Sequence, residues 1–445
     1  MKALPYGISD FPRLMREDYY YVDKTRFIEM LEQQPPYLFL IRPRRFGKSL
    51  FLAMLEAYYS IDYADRFKEL FGELYIGQHP TKRHNSYMVL RFNFSEVSSK
   101  LETVERSFSE YCCMVMKNFI LKYERLLGSG VWEIVNPDET NPEQMLAALK
   151  EYVSRTDCPR IYLLIDEYDN FTNTILSSYG QERYREKTHG DGLIRGFFNN
   201  VKASTSNAGA AVERLFITGV SPITMDDVTS GFNIGTNIST LPQFNNIIGF
   251  SEDEVREMIT YYKDEDALPE DVTVDGLVEI MKPWYDNYCF SEDRLEERMF
   301  NSDMALYFLN SYLQLGKAPK MMVDNNIRTD YGKLRHLVQI DKTFGANASV
   351  IQQIIAEGSI TAQIATSFPA EKMTDTENFK SLLFYFGMLS IQGVYRGTPV
   401  LGIPNLTVRE QLYTYLTEAY SRASLFDVDI SRLSSLVMGM AYDGE

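Results

Sequence analysis

Four short apolar runs in the first half of the chain alternate with longer stretches in which apolar residues recur at helical spacing. Such runs indicate buried strands, and the longer stretches indicate helices. Strands that alternate with helices predict an α/β fold built on a parallel sheet. The expected strands are Tyr37 to Ile41, Tyr87 to Ser95, Ile161 to Ile165 and Arg214 to Val220, and the expected helices are Leu50 to Tyr59, Leu101 to Leu127, Pro142 to Arg155 and Asp191 to Ser204.

Beyond Phe250 the pattern becomes mostly helical. Ser251 and Glu254 have the spacing of a capping box, and they precede an amphipathic helix that runs through Tyr262. We expect three regions: a sheet core at 1–250, a helical lid region at 251–365 and a small α+β region at 366–445. The later expected elements are helices at 276–282, 303–315, 330–338, 379–387 and 408–421, with a hairpin turning at 393–397.

The first strand is followed at once by a Gly-Lys-Ser turn and then by a helix, which is the setting of a phosphate-binding loop. Backbone amides and the positive helix N-terminus hold phosphate oxygens in such a loop. Lys48 would reach the outer phosphates and the Ser49 hydroxyl would help to hold Mg²⁺. The usual pattern has a glycine where this chain has Arg42, so the match is partial. The expected nucleotide-binding residues are Arg44, Arg45, Phe46, Gly47, Lys48, Ser49 and Leu50.

The loop is strongly basic within an acidic protein. Four cations, Arg42, Arg44, Arg45 and Lys48, fall within seven residues. Without an anion they repel one another, and a bound polyphosphate would remove that repulsion. A solvated basic turn is the alternative interpretation.

A second strand ends in carboxylates. The apolar run Ile161 to Ile165 leads into Asp166 and Glu167, as expected where a central parallel strand meets a ligand. Asp166 would hold Mg²⁺ through a water, and Glu167 would polarise the attacking water. The alternative is a core strand followed by a helix that Asp169 caps.

The fourth strand ends in polar residues that would lie between these two loops. Thr218 or Ser221 would then face the γ-phosphate as a sensor. Equally, Thr218 and Gly219 are explained by a strand end with turn chemistry.

The composition is that of a globular chain with excess negative charge. Of the 445 residues 45% are hydrophobic, and the formal net charge is −16, which disfavours nonspecific attraction to nucleic acid or anionic membranes. No apolar run approaches the roughly 20 residues that span a bilayer, and the N-terminus lacks the apolar core of a signal peptide. We therefore expect a cytoplasmic protein with no membrane partner and no direct nucleic-acid binding by this segment.

Cysteine and histidine positions favour packing over metal binding. Cys112 and Cys113 are adjacent, whereas Cys158 and Cys289 are isolated, which gives neither a disulfide framework nor a zinc spacing. The four histidines form no paired-ligand arrangement. No metal other than Mg²⁺ is indicated.

Seven segments, in order along the chain, resemble the AAA-ATPase-like family of bacterial proteins. This family is common in gut Bacteroidetes and usually carries a PD-(D/E)XK nuclease-like domain at the C-terminus. The resemblance spans nearly the whole chain. The segments are Tyr6 to Thr25 (YGISDFPRLMREDYYYVDKT), Arg42 to Ser49 (RPRRFGKS), Leu163 to Asp169 (LLIDEYD), Phe216 to Ile234 (FITGVSPITMDDVTSGFNI), Gly249 to Val255 (GFSEDEV), Trp284 to Phe290 (WYDNYCF) and Leu401 to Glu410 (LGIPNLTVRE).

The resemblance implies a P-loop NTPase core of the AAA+ or STAND kind, with ATP and Mg²⁺ as ligands and a helical region behind the core. The family's loop typically reads RPRRFGKS, so Arg42 is a family variant, and we expect it to meet phosphate together with Arg44 and Arg45. In AAA+ cores the segment before the first strand often covers the adenine base. This nominates Gly7, Ile8, Phe11 and the Tyr21 to Thr25 stretch; an N-terminal strap that only packs on the core is the equal alternative.

Two further features of the sequence matter for the comparison with the family. WYDNYCF is best explained as an aromatic core cluster, and its Asn287, where the family usually has glycine, tolerates positive φ. The nuclease motif, with its Asp and Glu-x-Lys ligands, is not among these 445 residues. Either the protein lacks this module or the sequence ends before it.

The first functional expectation is a Mg²⁺-dependent ATPase whose nucleotide state moves the helical region and controls an attached or partner effector. Lys48, Glu167 and Thr218 are the expected catalytic residues, and Ser49 and Asp166 the expected metal ligands. A cation at the γ-phosphate would come from Arg44 or Arg45 in cis, or from Arg195 or Arg214 of a neighbouring subunit, since AAA+-like cores often assemble into homo-oligomers. The alternatives are a nucleotide-gated interaction module with little turnover and the ATPase part of a DNA-processing nuclease system.

Overall fold

A computed structural model describes residues 1–188, 193–203, 210–223, 235–324, 346–373 and 375–422. The helix expected at 330–338 lies outside the described residues. Within the described part of the chain, no helix has both the length and the apolar character needed to cross a membrane.

A five-stranded parallel sheet forms the centre of the N-terminal region. Its spatial order is β2-β3-β4-β1-β5, so β4 lies between the strand of the basic loop and the strand that ends in carboxylates. All four neighbouring pairs are parallel, and β3 is buried along its whole length. The expected α/β fold is therefore confirmed. The strands are β1 (Tyr37–Ile41), β2 (Met88–Asn93), β3 (Ile161–Asp166), β4 (Val212–Gly219) and β5 (Thr236–Asn237).

Helices precede, connect and cover these strands. Three of the four expected helices of this region are present within two residues of their predicted bounds, and the one expected at Leu101 to Leu127 is divided at Tyr123 into two helices. The long helix that follows β3 was foreseen only in the alternative in which Asp169 caps a helix. The helices are α1 (Phe11–Arg16), α2 (Phe27–Glu32), α3 (Lys48–Tyr59), α4 (Phe67–Phe71), α5 (Tyr75–Gln78), α6 (Val104–Lys122), α7 (Glu124–Leu127), α8 (Val131–Ile134), α9 (Pro142–Arg155), α10 (Asn170–Thr188) and α11 (Leu193–Ala203).

A second, smaller core follows the sheet. It is built from α12 (Glu252–Asp264), α13 (Val274–Tyr285) and α14 (Ser302–Leu315), with the two-stranded sheet of β6 (Phe250–Ser251) and β7 (Met299–Phe300). The predicted capping box is confirmed, because the Ser251 hydroxyl accepts from the Glu254 amide and the Glu254 carboxylate accepts from the Ser251 amide. Both contacts satisfy amides that a helix start otherwise leaves unpaired.

The C-terminal region packs on the first core and also contacts the Val274–Tyr285 helix of the second, where the Thr407 hydroxyl donates to the Trp284 carbonyl. Its buried residues join the hydrophobic cluster of the main sheet. A three-stranded antiparallel sheet of order β8-β10-β9 uses strands from both sides of residue 365. The elements are α15 (Ala346–Glu357), β8 (Ser359–Thr361), α16 (Thr376–Tyr385), β9 (Ser390–Tyr395), β10 (Thr398–Gly402) and α17 (Leu406–Arg422).

The WYDNYCF segment is confirmed as a core cluster. Tyr285, Tyr288, Cys289 and Phe290 are all buried. Asn287 has a φ of 73°, so the predicted positive-φ turn is present with asparagine in place of glycine.

Candidate functional site

A cavity of about 520 Å³ opens at the end of β1. This volume is in the range of small-molecule sites. Three parts of the chain form most of its walls: the segment before β1, the loop that enters α3, and residues from position 248 onwards that lead into the second core. The main lining residues from these parts are Gly7, Ile8, Tyr20, Tyr21, Val22 and Lys24; Arg44 to Phe51; and Ile248, Gly249, Phe250, Met258, Ser302, Asp303 and Leu306.

The backbone of the basic loop is shaped for an anion. Arg45 and Gly47 have positive φ, at 68° and 93°, and α3 begins directly afterwards at Lys48. Alternation of left- and right-handed backbone turns successive amides toward one point, and a helix start adds its partial positive charge. All seven predicted nucleotide-binding residues, from Arg44 to Leu50, line the cavity.

Lys48 is held at the floor of this loop. Its ammonium donates to the carbonyl oxygens of Arg42 at 3.0 Å and Pro43 at 2.8 Å. Burial lowers the pKa of the Lys48 ammonium, and the carboxylates of Glu167 and Asp166 oppose that fall. The lysine therefore lies close to the two carboxylates that the sequence predicts for the same site.

Arg42 faces away from the cavity, so the expectation that it meets phosphate is wrong. Its guanidinium is 1% exposed and donates to the backbone carbonyls of Ser239 and Phe244. It also lies 4.0 Å from the centre of the Phe290 ring. Carbonyl acceptors and an aromatic face bind a guanidinium without a phosphate, so the side chain fixes the underside of the loop.

The neighbours of Arg42 extend this underside. Phe46 packs edge-on against Tyr288 at 4.9 Å and Phe290 at 5.5 Å. A Cβ at Gly387 would lie 2.8 Å from Pro43, a separation that real Cβ contacts do not show, so the glycine permits the C-terminal region to approach the loop. The WYDNYCF cluster thus supports the phosphate loop from below.

Glu167 lines the cavity from the end of β3. Its φ of 49° is unusual for a residue with a Cβ, and such strain clusters at functional sites. Burial raises the pKa of its carboxyl, and the charges of Lys48 and Arg44 oppose the rise. The predicted base therefore lies beside the predicted phosphate-binding cations.

Asp166 is fully buried behind Glu167 and does not itself line the cavity. Its Oδ1 accepts from the Thr218 hydroxyl at 2.7 Å, while its Oδ2 has no hydrogen-bond partner. Arg91 on β2 reaches the backbone carbonyl of Ser49 at 3.4 Å and lies 3.9 Å from Asp166 Oδ2. Carboxylate and hydroxyl oxygens, such as those of Asp166 and Ser49, are of the ligand type that Mg²⁺ prefers.

Thr218 and Ser221 are both buried, and neither lines the cavity. The observed contact of Thr218 is with Asp166, so its predicted meeting with the γ-phosphate stays a prediction. Ser221 donates its amide to the Asp169 carboxylate at 2.5 Å. Asp169 also accepts the Val220 amide at 3.0 Å and therefore ties the end of β3 to the end of β4, just before α10 begins.

The segment before β1 forms the apolar wall of the cavity. Gly7, Ile8, Tyr21, Val22 and Lys24 line it, as expected for a cover over the base. Phe11 and Thr25 do not line it; both are fully buried in the core. The segment thus lines the cavity and also packs on the core.

Lys24 connects this segment to the second core. Its ammonium contacts both oxygens of Glu254, at 2.6 and 2.7 Å, and donates to the carbonyl of Asn246. Burial lowers the pKa of Lys24, and Glu254 opposes the fall. Since Glu254 also completes the capping box of α12, one carboxylate fixes both the helix start and the cavity wall.

The first turn of α14 holds the phosphate loop from the other side. The Ser302 hydroxyl donates to the Arg45 carbonyl at 3.1 Å, and the Asp303 amide donates to the same oxygen at 3.2 Å. The Asp303 carboxylate lies 3.7 Å from the Arg45 guanidinium. Sequence reasoning missed these residues, because their partners lie about 257 positions earlier in the chain.

The candidate arginines for the γ-phosphate occupy different environments. Arg44 and Arg45 line the cavity. Arg195 is half-buried on α11. Arg214 is 3% exposed and donates to the Leu31 carbonyl inside the same chain, so the expectation that it acts on a neighbouring subunit is wrong.

Comparison with known proteins adds two findings. A family model described as "Predicted AAA-ATPase" matches residues 5–229, which include the phosphate loop, the carboxylate end of β3 and Thr218. An uncharacterized protein in the vnfD 5' region of Azotobacter chroococcum mcd 1 is 28% identical over 266 residues. That match covers 57% of this chain and 44% of the relative's length.

Proposed function

Because the chain belongs to the predicted AAA-ATPase family, whose character implies a nucleotide ligand, we propose that it binds ATP with Mg²⁺ and hydrolyses it. The observation that carries this proposal is the cavity itself. The loop from Arg44 to Leu50 and the Glu167 carboxylate share its polar end, and Ile8, Tyr21 and Val22 form an apolar wall. Polyphosphate and base need these two kinds of surface.

The triphosphate lies on the loop in this proposal. Amides of the loop and of the first turn of α3 donate to phosphate oxygens, and Lys48 exchanges its two carbonyl contacts for the β- and γ-phosphates. Ser49, and Asp166 through a water, would hold Mg²⁺, which would neutralise charge on the phosphate oxygens.

Glu167 acts as the general base. Its carboxylate takes a proton from a water molecule, whose oxygen forms a bond to the γ-phosphorus. The bond from the γ-phosphorus to the bridging oxygen breaks, and its electron pair stays with ADP. Lys48 and Arg44 oppose the rise in the pKa of Glu167, so the ionised form needed to accept a proton is supported by the same cations that face the phosphates.

The nucleotide state is transmitted to the second core through α14. Its first turn contacts the carbonyl of Arg45 and the Arg45 side chain. A change in the loop conformation on phosphate release would therefore change the position of α14. A partner or attached effector that senses this core would then be controlled by the nucleotide.

Calorimetry with ATP, GTP and ADP, with and without Mg²⁺, tests binding. Lys48→Ala is expected to weaken ATP binding by about 100-fold, since about 3 kcal/mol of charge-assisted contact is lost. Lys68→Ala, an exposed lysine of α4, serves as the matched control. Unchanged ATP affinity in Lys48→Ala would contradict the proposed site.

Phosphate release tests hydrolysis. Glu167→Gln is expected to keep ATP affinity and to slow phosphate release by about 10² to 10⁴-fold, the usual contribution of a general base. Glu102→Gln, at an exposed position, is the control. If Glu167→Gln binds ATP and releases phosphate as fast as the wild type, Glu167 is not the general base. If the wild type itself binds ATP and releases no phosphate, the chain is better described as a nucleotide-gated interaction module.

A further inference from the structure

We propose that Arg44 is a catalytic residue that donates to the γ-phosphate in cis, so that one chain contains a complete hydrolytic site. The inference rests on the proposed function and adds to it the source of the missing cation. In P-loop enzymes an arginine at the γ-phosphate comes from the same chain or from a partner, and the family match alone does not distinguish the two.

The position of Arg44 supports this role. It lines the cavity together with Glu167 and Asn170, and its Nη2 lies 3.5 Å from Asn170 Oδ1. Asn170 opens α10, three residues after Glu167. The guanidinium therefore bridges from the phosphate loop to the segment that bears the base.

Arg44 shares the cavity with both groups that would flank a γ-phosphoryl group. Lys48, the predicted phosphate lysine, and Glu167, the predicted base, line the same cavity. The geometry therefore gives the arginine access to the space in which the two groups would act.

The backbone of Arg44 is fixed independently of its side chain. Its carbonyl oxygen accepts from Asn301 Nδ2 at 3.5 Å, and the next residue, Arg45, is held through its carbonyl by Ser302 and Asp303. A positioned backbone and a long side chain that lines the cavity suit a donor to the γ-phosphoryl group as it is transferred to water.

The other arginines of the loop have different tasks. Among the described residues that line the cavity, the arginines are Arg44 and Arg45. Arg45 pairs with Asp303 on the opposite side, and Arg42 is buried against carbonyls and Phe290. Arg91 lies beside Asp166 and does not line the cavity.

The chemical role follows from the charge that develops during hydrolysis. As the bond between the γ-phosphorus and the bridging oxygen breaks, negative charge grows on that oxygen and on the equatorial oxygens of the γ-phosphoryl group. The planar guanidinium donates two parallel hydrogen bonds, whereas the proton of the attacking water goes to Glu167. The interaction strengthens in the transition state and so raises kcat more than it changes ATP affinity.

Steady-state kinetics and ligand binding on the full chain test the inference. Arg44→Ala is compared with the wild type, with Arg44→Lys and with Arg106→Ala, an arginine that is 73% exposed on α6. Measurements are kcat, the Kd for ATP, the Kd for ADP with aluminium fluoride and Mg²⁺, and the melting temperature. Turnover per chain is followed over about a hundredfold range of protein concentration.

The expected result is a loss of kcat by about 10² to 10³-fold in Arg44→Ala, the usual effect of removing one transition-state donor. The Kd for ATP should change by less than about tenfold, and affinity for ADP with aluminium fluoride should fall in proportion to kcat. The kcat of Arg44→Lys should lie between those of the wild type and Arg44→Ala, because lysine keeps the charge but loses the paired donors. Turnover per chain should not depend on protein concentration.

Three outcomes separate the possibilities. If Arg44→Ala keeps kcat and the affinity for ADP with aluminium fluoride, the inference fails and the ATPase proposal stands. If turnover per chain rises with protein concentration while Arg44→Ala is active, the cation comes from a neighbouring chain. If the wild type binds ATP and releases no phosphate, the proposed hydrolysis fails and the inference with it. If the melting temperature of Arg44→Ala is much lower than that of the wild type, Arg44→Lys is used in its place. A loss of kcat in Arg44→Lys then supports the inference, and an unchanged kcat contradicts it.

Discussion

The phosphate loop, Arg42 to Ser49, has two faces with opposite surroundings. The cavity face carries Arg44, Lys48 and Ser49, and it meets the carboxylate of Glu167. The underside carries the guanidinium of Arg42 and the ring of Phe46, which meet backbone carbonyls and aromatic rings, although Phe46 also borders the cavity.

The difference shows that a basic run is not one functional unit. A guanidinium that is enclosed by carbonyls and a phenyl ring acts as a structural clamp, and burial lowers the pKa of Arg42 to about 9. The guanidinium of Arg44, by contrast, belongs to a residue that lines the cavity together with Glu167. Whether an arginine of this loop binds a ligand or stabilises the fold therefore depends on the groups that contact its side chain, and not on the charge of the segment.

Truncation of the underside at Phe46 should give the largest loss of stability. Phe46→Ala removes a fully buried ring from contact with Tyr288 and Phe290, and we expect the free energy of unfolding to fall by about 3 to 5 kcal/mol. Chemical denaturation measures it, and Leu121→Ala, at a leucine that is 58% exposed, is the control. A change in nucleotide affinity with unaltered stability would erase the distinction between the two faces.

Replacement of Arg42 should also reduce stability, by a smaller amount. Arg42→Met keeps most of the side-chain volume but leaves the carbonyls of Ser239 and Phe244 without their donor. Unpaired buried acceptors cost about 1 to 3 kcal/mol each, while relief of the buried charge returns part of that, so we expect a net loss of about 2 kcal/mol. ATP affinity, measured by calorimetry at a temperature where the variant remains folded, should stay within a few-fold of the wild type. A 100-fold loss of affinity, as for Lys48→Ala, would mean that Arg42 binds phosphate.

The smallest effect is expected where the second core meets the loop. Ser302→Ala removes one hydrogen bond to the Arg45 carbonyl, which the Asp303 amide still contacts, so stability should fall by about 0.5 to 1.5 kcal/mol. The informative measurement is hydrogen exchange of α14 with and without ATP. The wild type should show a nucleotide-dependent difference that the variant reduces; equal responses would indicate that α14 does not sense the loop through Ser302.

The elements that carry the site could be predicted from sequence because their signals are local. Apolar runs specified β1 and β3, and the Gly-Lys-Ser turn and the carboxylates after Ile165 follow those runs directly. The neighbouring positions of β1, β4 and β3 then bring the strand ends together. The strand pattern and the motif residues that directly follow the strands together indicated which residues would meet.

What could not be predicted depends on distant partners or on weak patterns. The sequence of α10 (Asn170–Thr188) is largely polar and has no clear apolar stripe, so its helical spacing gave no signal. The direction of Arg42 depends on Ser239 and Phe244, about 200 residues away. The clamp of α14 on Arg45 depends in the same way on packing between two cores, which a motif does not encode.

The support beneath the phosphate loop has a consequence for dissecting this protein into fragments. The family match ends at residue 229, but Tyr288, Phe290 and Gly387, which pack under Phe46, Arg42 and Pro43, come from far beyond it. A shortened polypeptide that keeps every motif residue and stops near residue 250 would expose a phenylalanine and deprive an arginine of its aromatic neighbour. The smallest piece worth expressing therefore reaches at least through β10, and deletion mapping that tracks only motifs would misjudge where activity resides.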